Sequence, residues 1–264
     1  MRVTTVVAAG LVVGVALSGC GGSSSGGGSG ATSAPSASSN GIASMSVPEI
    51  LDKTATAAKA QKSVHISGKG TNSGQAFAID MTLRNGGGGK GSITIDSDTL
   101  NVINTGSTVY IKADKAYWTK YANATAAAVI GDRWVKAPAS DASYADLASL
   151  ADFTKSIESY LKPTGTPTKG AEKTVAGQPA LGLVDSDGGT LWIATTGDPL
   201  PVLIESSSSG GGGLAFADWN KTVDITPPAD ADTLDLGSLS SAADRPGQRH
   251  RGPRDTWLHG RPYS

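Results

Sequence analysis

Between Ser63 and Ile225, apolar residues recur at every second position in short runs, and this alternation restricts the fold more than anything else in the chain. Ser63 to Thr71 is rich in strand-forming residues. Phe77, Ile79, Met81 and Leu83 then alternate with polar or small residues, as do Ile93 and Ile95, Leu100 and Val102, and Val109 and Ile111. Turn-forming pieces separate them: Asn85 to Gly89, Asp96-Ser97-Asp98 and Gly106. A period of two puts alternate side chains on one face, and short turns join antiparallel neighbours. After an interruption the pattern returns. Residues 172–176, 180–184, 191–194, 202–205, 214–217 and 222–225 read as strands, and Pro227-Pro228 ends the series. Gly falls inside several strands, which suits a curved or half-open barrel more than a flat sheet.

A sheet with one apolar face needs a covering layer. Ser46 and Glu49 have capping-box spacing, and Val47, Ile50, Leu51, Thr54 and Ala58 follow at helical period, which predicts a helix to about Lys62. Residues 116–129 read as a second helix, with Tyr117, Tyr121, Thr125 and Val129 on one stripe. Residues 143–161 read as a third, with Leu147, Leu150, Phe153, Ile157 and Leu161 on its stripe and Pro163 as its stop. Trp134 and Val135 read as a short strand between them. The expectation is an α+β domain over 47–237: one strongly curved antiparallel sheet, a half-barrel, with helices covering its concave face.

The flanks differ from the domain. Arg2 precedes an apolar stretch, Val6 to Leu17, that is shorter than the roughly 20 residues of a membrane span and has the length of a signal-peptide core. It ends in Leu17-Ser18-Gly19-Cys20, which resembles the lipobox of bacterial lipoproteins. The resemblance implies removal of residues 1–19 and acylation of Cys20, the only Cys of the chain. It also implies a lipid-anchored protein on the extracytoplasmic face of the cell membrane, since two or three acyl chains anchor stably where one binds marginally. Residues 21–46 are uncharged and rich in Gly and Ser, so 20–46 is expected to be a lipidation site and flexible tether, with a coil span on the order of 25–30 Å. Residues 238–264 hold five Arg, two of the three His and no Lys. They read as a disordered Arg-rich tail, as a basic arm for anionic lipid or wall polymers, or as a frameshifted read-through.

Composition narrows the chemistry. Residues 47–237 carry 16 Lys and Arg against 21 Asp and Glu, a net charge of −5, with no basic footprint for nucleic acid. A single Cys excludes an internal disulfide framework and a Cys-rich metal site. His65 stands alone in a strand without a triad motif. Asp96/Asp98 and Asp185/Asp187 offer paired carboxylates but no EF-hand continuation. The run from Asn85 to Ser92 places Gly91, not Ser or Thr, after Lys90, so it reads as a hairpin turn and not a phosphate loop. Gly22-Ser23-Ser24-Ser25-Gly26 matches a nucleophile-elbow pattern but sits in the tether. Trp118, Trp134, Trp192 and Trp219 read as packing residues in preference to a glycan-stacking set. No catalytic residue, metal or cofactor is expected.

The second half carries a further resemblance. Val175-Ala176-Gly177-Gln178-Pro179-Ala180, Thr190-Leu191-Trp192-Ile193, Gly197-Asp198-Pro199-Leu200-Pro201, Phe216-Ala217-Asp218-Trp219-Asn220 and Val223-Asp224-Ile225-Thr226-Pro227-Pro228 occur in order. Together with Ser63-Val64-His65-Ile66 after the first helix, they resemble actinobacterial lipoproteins of the LppX and LprG type and, more distantly, carriers of the LolA type. The resemblance implies a half-barrel enclosing an apolar cavity for a lipid or glycolipid, used in transport or envelope maintenance, without catalytic residues. Phe77, Ile79, Met81, Leu83, Ile93, Ile95, Val109, Ile111, Leu181 and Leu183 would line that cavity. The partners then expected are the membrane, through Cys20, and the ligand, with the protein acting as a monomer. The alternative expectation is an envelope sensor or scaffold that binds a membrane or wall protein through its sheet edge or rim.

Overall fold

The computed structural model describes residues 38–72, 74–207 and 212–235. Cys20 with the Leu17-Ser18-Gly19 motif, residues 21–37 and the tail 238–264 lie outside the described residues. The first half runs α1 (Val47–Lys59), β1 (Ser63–Asn72), β2 (Gln75–Arg84), β3 (Gly89–Ile95), β4 (Asp98–Asn104), β5 (Thr108–Lys112), α2 (Lys115–Tyr121), α3 (Ala124–Ile130) and β6 (Trp134–Pro138). The second runs α4 (Ala145–Leu150), α5 (Phe153–Leu161), β7 (Thr168–Val175), β8 (Gln178–Val184), β9 (Thr190–Ala194), β10 (Pro201–Glu205), β11 (Gly213–Ala217) and β12 (Thr233–Asp235).

The strands form one curved, open sheet in the order β12-β6-β5-β4-β3-β2-β1-β11-β10-β9-β8-β7. The α+β expectation is met. Two antiparallel meanders, β1 to β6 and β7 to β11, share the sheet through the single β1–β11 ladder. Register explains the buried face. Phe216, Ile66, Met81, Gly91, Val102, Ile111 and Val135 are successive Cα partners in one row across β11, β1, β2, β3, β4, β5 and β6. Six of the seven have side chains, and all six are buried.

The helices cover this concave face. Ala58 of α1, Trp118 of α2, Ala127 and Ile130 of α3, Ala148 of α4 and Phe153, Ile157 and Leu161 of α5 share one cluster with the row. Each large apolar side chain removed from water contributes about 1.5–3 kcal/mol. A second cluster joins Ile42, Ile50, Leu181, Leu183 and Ile193 under the start of α1. The other face of the sheet carries one small cluster of its own: Val175, Ala180, Trp192, Ala194 and Val202.

Four expectations are corrected. The helix expected over 116–129 is two helices, because the Asn123 side chain accepts the Ala126 N–H at 2.8 Å and restarts the turn as an N-cap. Tyr121 and Val129, expected on the buried stripe, are 49% and 48% exposed as a result. Asp152 divides the expected 143–161 helix in the same way, accepting the Lys155 N–H at 2.9 Å. Residues 222–225 form no ladder; the chain instead returns through Pro227-Pro228 to place β12 parallel to β6, the one parallel pair of the sheet. Lastly, the tether expected to reach residue 46 yields to folded structure by residue 39. Ser39 bridges Thr196, and Asn40 Nδ2 donates to the carbonyls of Ala194 and Gly197 at 2.9 and 3.1 Å. Ile42 is fully buried. Ile42, with Met45 packed on the same cluster, fixes this segment by completing the second cluster.

Curvature has a local cause at Gly91. A Cβ there would lie 1.9 Å from the Asp80 carbonyl oxygen and 2.8 Å from Met81 Sδ, at φ +156°. Strand β3 closes on β2 where no side chain stands between them. Gly91→Ala is expected to lower stability by about 3 kcal/mol, read as a lower urea midpoint.

Candidate functional site

The described residues bring together a pocket of about 190 Å³ between the concave face of the second meander and the helices. Its floor comes from register. Leu183 pairs with Leu191, and Leu191 pairs with Ile204, so three aliphatic side chains from β8, β9 and β10 stand in one row. Leu51 of α1 and Tyr160 and Leu161 of α5 face that row. Tyr160 is set by an edge-to-face contact with Phe216, ring centroids 5.9 Å apart, and burial pushes its phenol pKa upward.

The mouth is polar. Pro163 ends α5, and residues 162–167 cross to the edge strand β7, giving Lys162, Pro163, Thr164 and Pro167 to one wall. Asp185, Asp187, Gly189 and Thr190, from the end of β8 and the β8–β9 turn, give the other. Asp185 ties the two together. Its Oδ2 accepts from Thr164 N at 2.8 Å, Thr164 Oγ1 at 2.9 Å and Gly165 N at 3.3 Å, while its Oδ1 accepts from Ser186 N at 2.8 Å. The Ser186 N–H, then the Thr164 and Gly165 donors, hold this carboxyl below the usual Asp range. Asp187 Oδ1 accepts from Gly189 N at 2.9 Å. Both carboxylates of the Asp185/Asp187 pair thus serve the turn and the loop. The pocket offers an apolar wall with polar groups at one end, which suits an apolar chain.

The ten residues expected to line a cavity divide among several places. Ile79, Met81, Leu83, Ile93, Val109 and Ile111 lie in the main core beneath the helices. Leu181 belongs to the second cluster, and so does Leu183, which also lines the pocket. Phe77 is half-buried and edges an open hollow with Lys69, Thr71 and Asp96. Ile95, at the end of β3, is 37% exposed. Sequence reading missed Leu51, Tyr160, Leu161, Leu191 and Ile204 as a group. Leu51, Leu161 and Leu191 were each visible as apolar positions of helices or strands, but only the non-local register makes them neighbours.

Other singled-out residues have structural partners. His65 Nε2 lies 3.0 Å from Asp80 Oδ1 on the opposite face of the sheet from Val64 and Ile66. Trp192 Nε1 donates to Glu205 at 2.8 Å, and Lys173 Nζ sits 4.0 Å above the Trp192 ring. Trp219 stacks on Phe216 at 6.4 Å, and Trp118 is buried in the core. Among the described residues no helix is long and apolar enough to cross a membrane.

No family model matches the chain, and no curated protein does. Among solved structures it is similar to the crystal structure of LprF from Mycobacterium bovis, at 16% identity and a TM-score of 0.49, covering 69% of this chain and 96% of that one.

The Asp185 contacts carry a pH dependence of definite sign. A carboxyl held below its unfolded value contributes stability above that value and loses it as pH falls through the folded value. The amide resonances of Thr164 and Gly165 are therefore expected to keep their bonded shifts down to about pH 4 and to move only below it. Movement near neutral pH would contradict the assignment.

Proposed function

We propose that this protein is a membrane-anchored extracytoplasmic lipoprotein, acylated at Cys20, whose half-barrel holds a lipid or another hydrophobic ligand for transport or envelope maintenance. The observation that carries the reading is the row Leu183, Leu191 and Ile204 facing Leu51, Tyr160 and Leu161, an apolar slot with a polar mouth. Hydrophobic side chains ordinarily close such a slot; here a recess remains beside an exposed loop. Its volume of about 190 Å³ is below the roughly 300–1,000 Å³ of most ligand pockets, so it fits the end of one chain and not a whole lipid.

Two further features support the reading. Leu17-Ser18-Gly19-Cys20 places an acyl acceptor ahead of a domain whose ordered structure is under way by residue 39. The sequence resemblance to lipoproteins of the LppX and LprG type points to the same kind of ligand. The role proposed is binding; at the mouth Asp185 and Asp187 hold the loop and turn.

Native mass spectrometry of the full chain, expressed in a bacterium that acylates lipoproteins and extracted in mild detergent, tests both parts. A mature N-terminus at Cys20 carrying acyl mass, lost in Cys20→Ser, is expected. A co-bound lipid is also expected, and Leu191→Trp should remove it by filling the slot while leaving the thermal midpoint within a few degrees. Protein free of lipid that also fails to take up dansyl-undecanoic acid would overturn the ligand reading.

A further inference from the structure

The pocket has one wall that differs from the others. The floor is three hydrogen-bonded strands, and the roof is two helices packed on each other and on the core. The remaining wall, residues 162–167, has no secondary structure, and residues 162–166 are exposed. It leads into β7, an edge strand exposed along all but its last residue and irregularly paired between Lys169 and Glu172. Thr164 and Gly165 are attached to the opposite wall through one oxygen, Asp185 Oδ2, which accepts three hydrogen bonds from them.

The seat is close-fitting. A Cβ on Gly165 would stand 2.1 Å from Ser186 Oγ and 2.8 Å from Asp185 Oδ1. The loop therefore rests directly on the side chains of the β8–β9 turn, and glycine fits there without displacing them. The closed pocket is also too small for a lipid chain of ordinary length. Enlarging it by moving strands or helices breaks ladders and uncovers the core. Moving 162–167 breaks the Asp185 contacts and uncovers little apolar surface.

We infer that residues 162–167 are the gate of the hydrophobic-ligand pocket, with Asp185 as the latch that holds the gate shut and Gly165 as its seat. The inference rests on reading the pocket as a ligand site. An apolar chain enters when the three Asp185 contacts open together, and the loop swings away from the β8–β9 turn with β7 as its hinge side. The contacts are charge-assisted and share one acceptor, so they are made and lost as a unit.

A reversible staple tests this. The Cβ positions of residues 165 and 186 are 3.1 Å apart, close to the roughly 3.5–4.5 Å of a disulfide. In the full chain carrying Cys20→Ser, Gly165→Cys with Ser186→Cys is oxidised, and uptake of dansyl-undecanoic acid is followed by stopped-flow fluorescence. Association at least tenfold slower in the oxidised form, restored by dithiothreitol, is expected. Asp185→Ala should act oppositely, with association several-fold faster and amide exchange at Thr164 and Gly165 faster by a similar factor. Equal association rates in oxidised and reduced forms overturn the gate while leaving the ligand site standing. Probe uptake by none of the forms, Asp185→Ala included, overturns the ligand site, and the gate falls with it. Unchanged amide exchange in Asp185→Ala overturns the latch whatever the probe does.

Discussion

One ladder holds the molecule together. Strand β1 belongs to the first meander and β11 closes the second, and His65 to Lys69 pair with Ala217 to Gly213 across nearly 150 positions of sequence. Without that pairing each meander has an apolar face that it cannot cover alone. The contact is made on glycine. A Cβ on Gly68 would stand 1.9 Å from the Gly213 carbonyl oxygen, so the two backbones meet where side chains are missing. This close approach and the one at Gly91 turn a broad sheet into a trough. The helices then fill the trough, α5 standing over both halves through its contacts with the main cluster and with α1. Pairing so distant in sequence must wait for loop closure, so the joined sheet is expected to form late in folding.

Charge contributes little to this architecture. Two of the described ion pairs, Lys59–Glu158 and Lys221–Asp218, each at 2.8 Å, join exposed side chains and contribute little. Polar groups matter where they replace ladder bonds. Asn104 donates from the buried face to the Ala148 carbonyl at 3.1 Å and fastens α4 to β4. Asn85 donates to the carbonyls of Lys59 and Gln61 at 2.8 and 2.9 Å and closes the end of α1 onto the β2–β3 turn. On the outer face, Glu205 lies below its usual carboxylate range, held there first by Trp192 Nε1–H and then by Lys173. That triad covers the small outer cluster and shows why an aromatic on an exposed sheet face need not be a binding platform.

What the sequence revealed follows from the range of each interaction. The cap at Ser46, where Glu49 accepts the Ser46 N–H at 2.8 Å, is a three-residue signal and was legible. So were the strands from β1 to β5, where period two and turn residues agree. The helix breaks at Asn123 and Asp152 were missed because apolar spacing runs on across them; the side-chain cap, visible as Asn or Asp three residues before its bonded amide, was the overlooked signal. Strand β12 was invisible because three residues carry no period. The pocket was hidden for a different reason. Leu51, Leu161, Leu191 and Ile204 belong to four elements, and their convergence depends on the β8–β9–β10 register and on where α1 and α5 settle.

The position of the pocket within the sheet follows from the same register. Strand β9 runs from Thr190 to Ala194, and its two ends have different duties. At the Thr190 end are the β8–β9 turn, Asp185 and the pocket mouth. At the other end the Thr195 carbonyl accepts the Asn40 N–H and Thr196 bridges Ser39, near the start of the described residues. At about 3.3 Å per residue the strand separates these ends by roughly 16 Å. Ser39 and Asn40 therefore lie at the end of β9 away from the mouth. Ile42 and Ile50 fill the cluster beneath α1 and so support the Leu183 wall of the pocket, and the Ala43 carbonyl accepts from Lys169 Nζ of β7 at 2.8 Å.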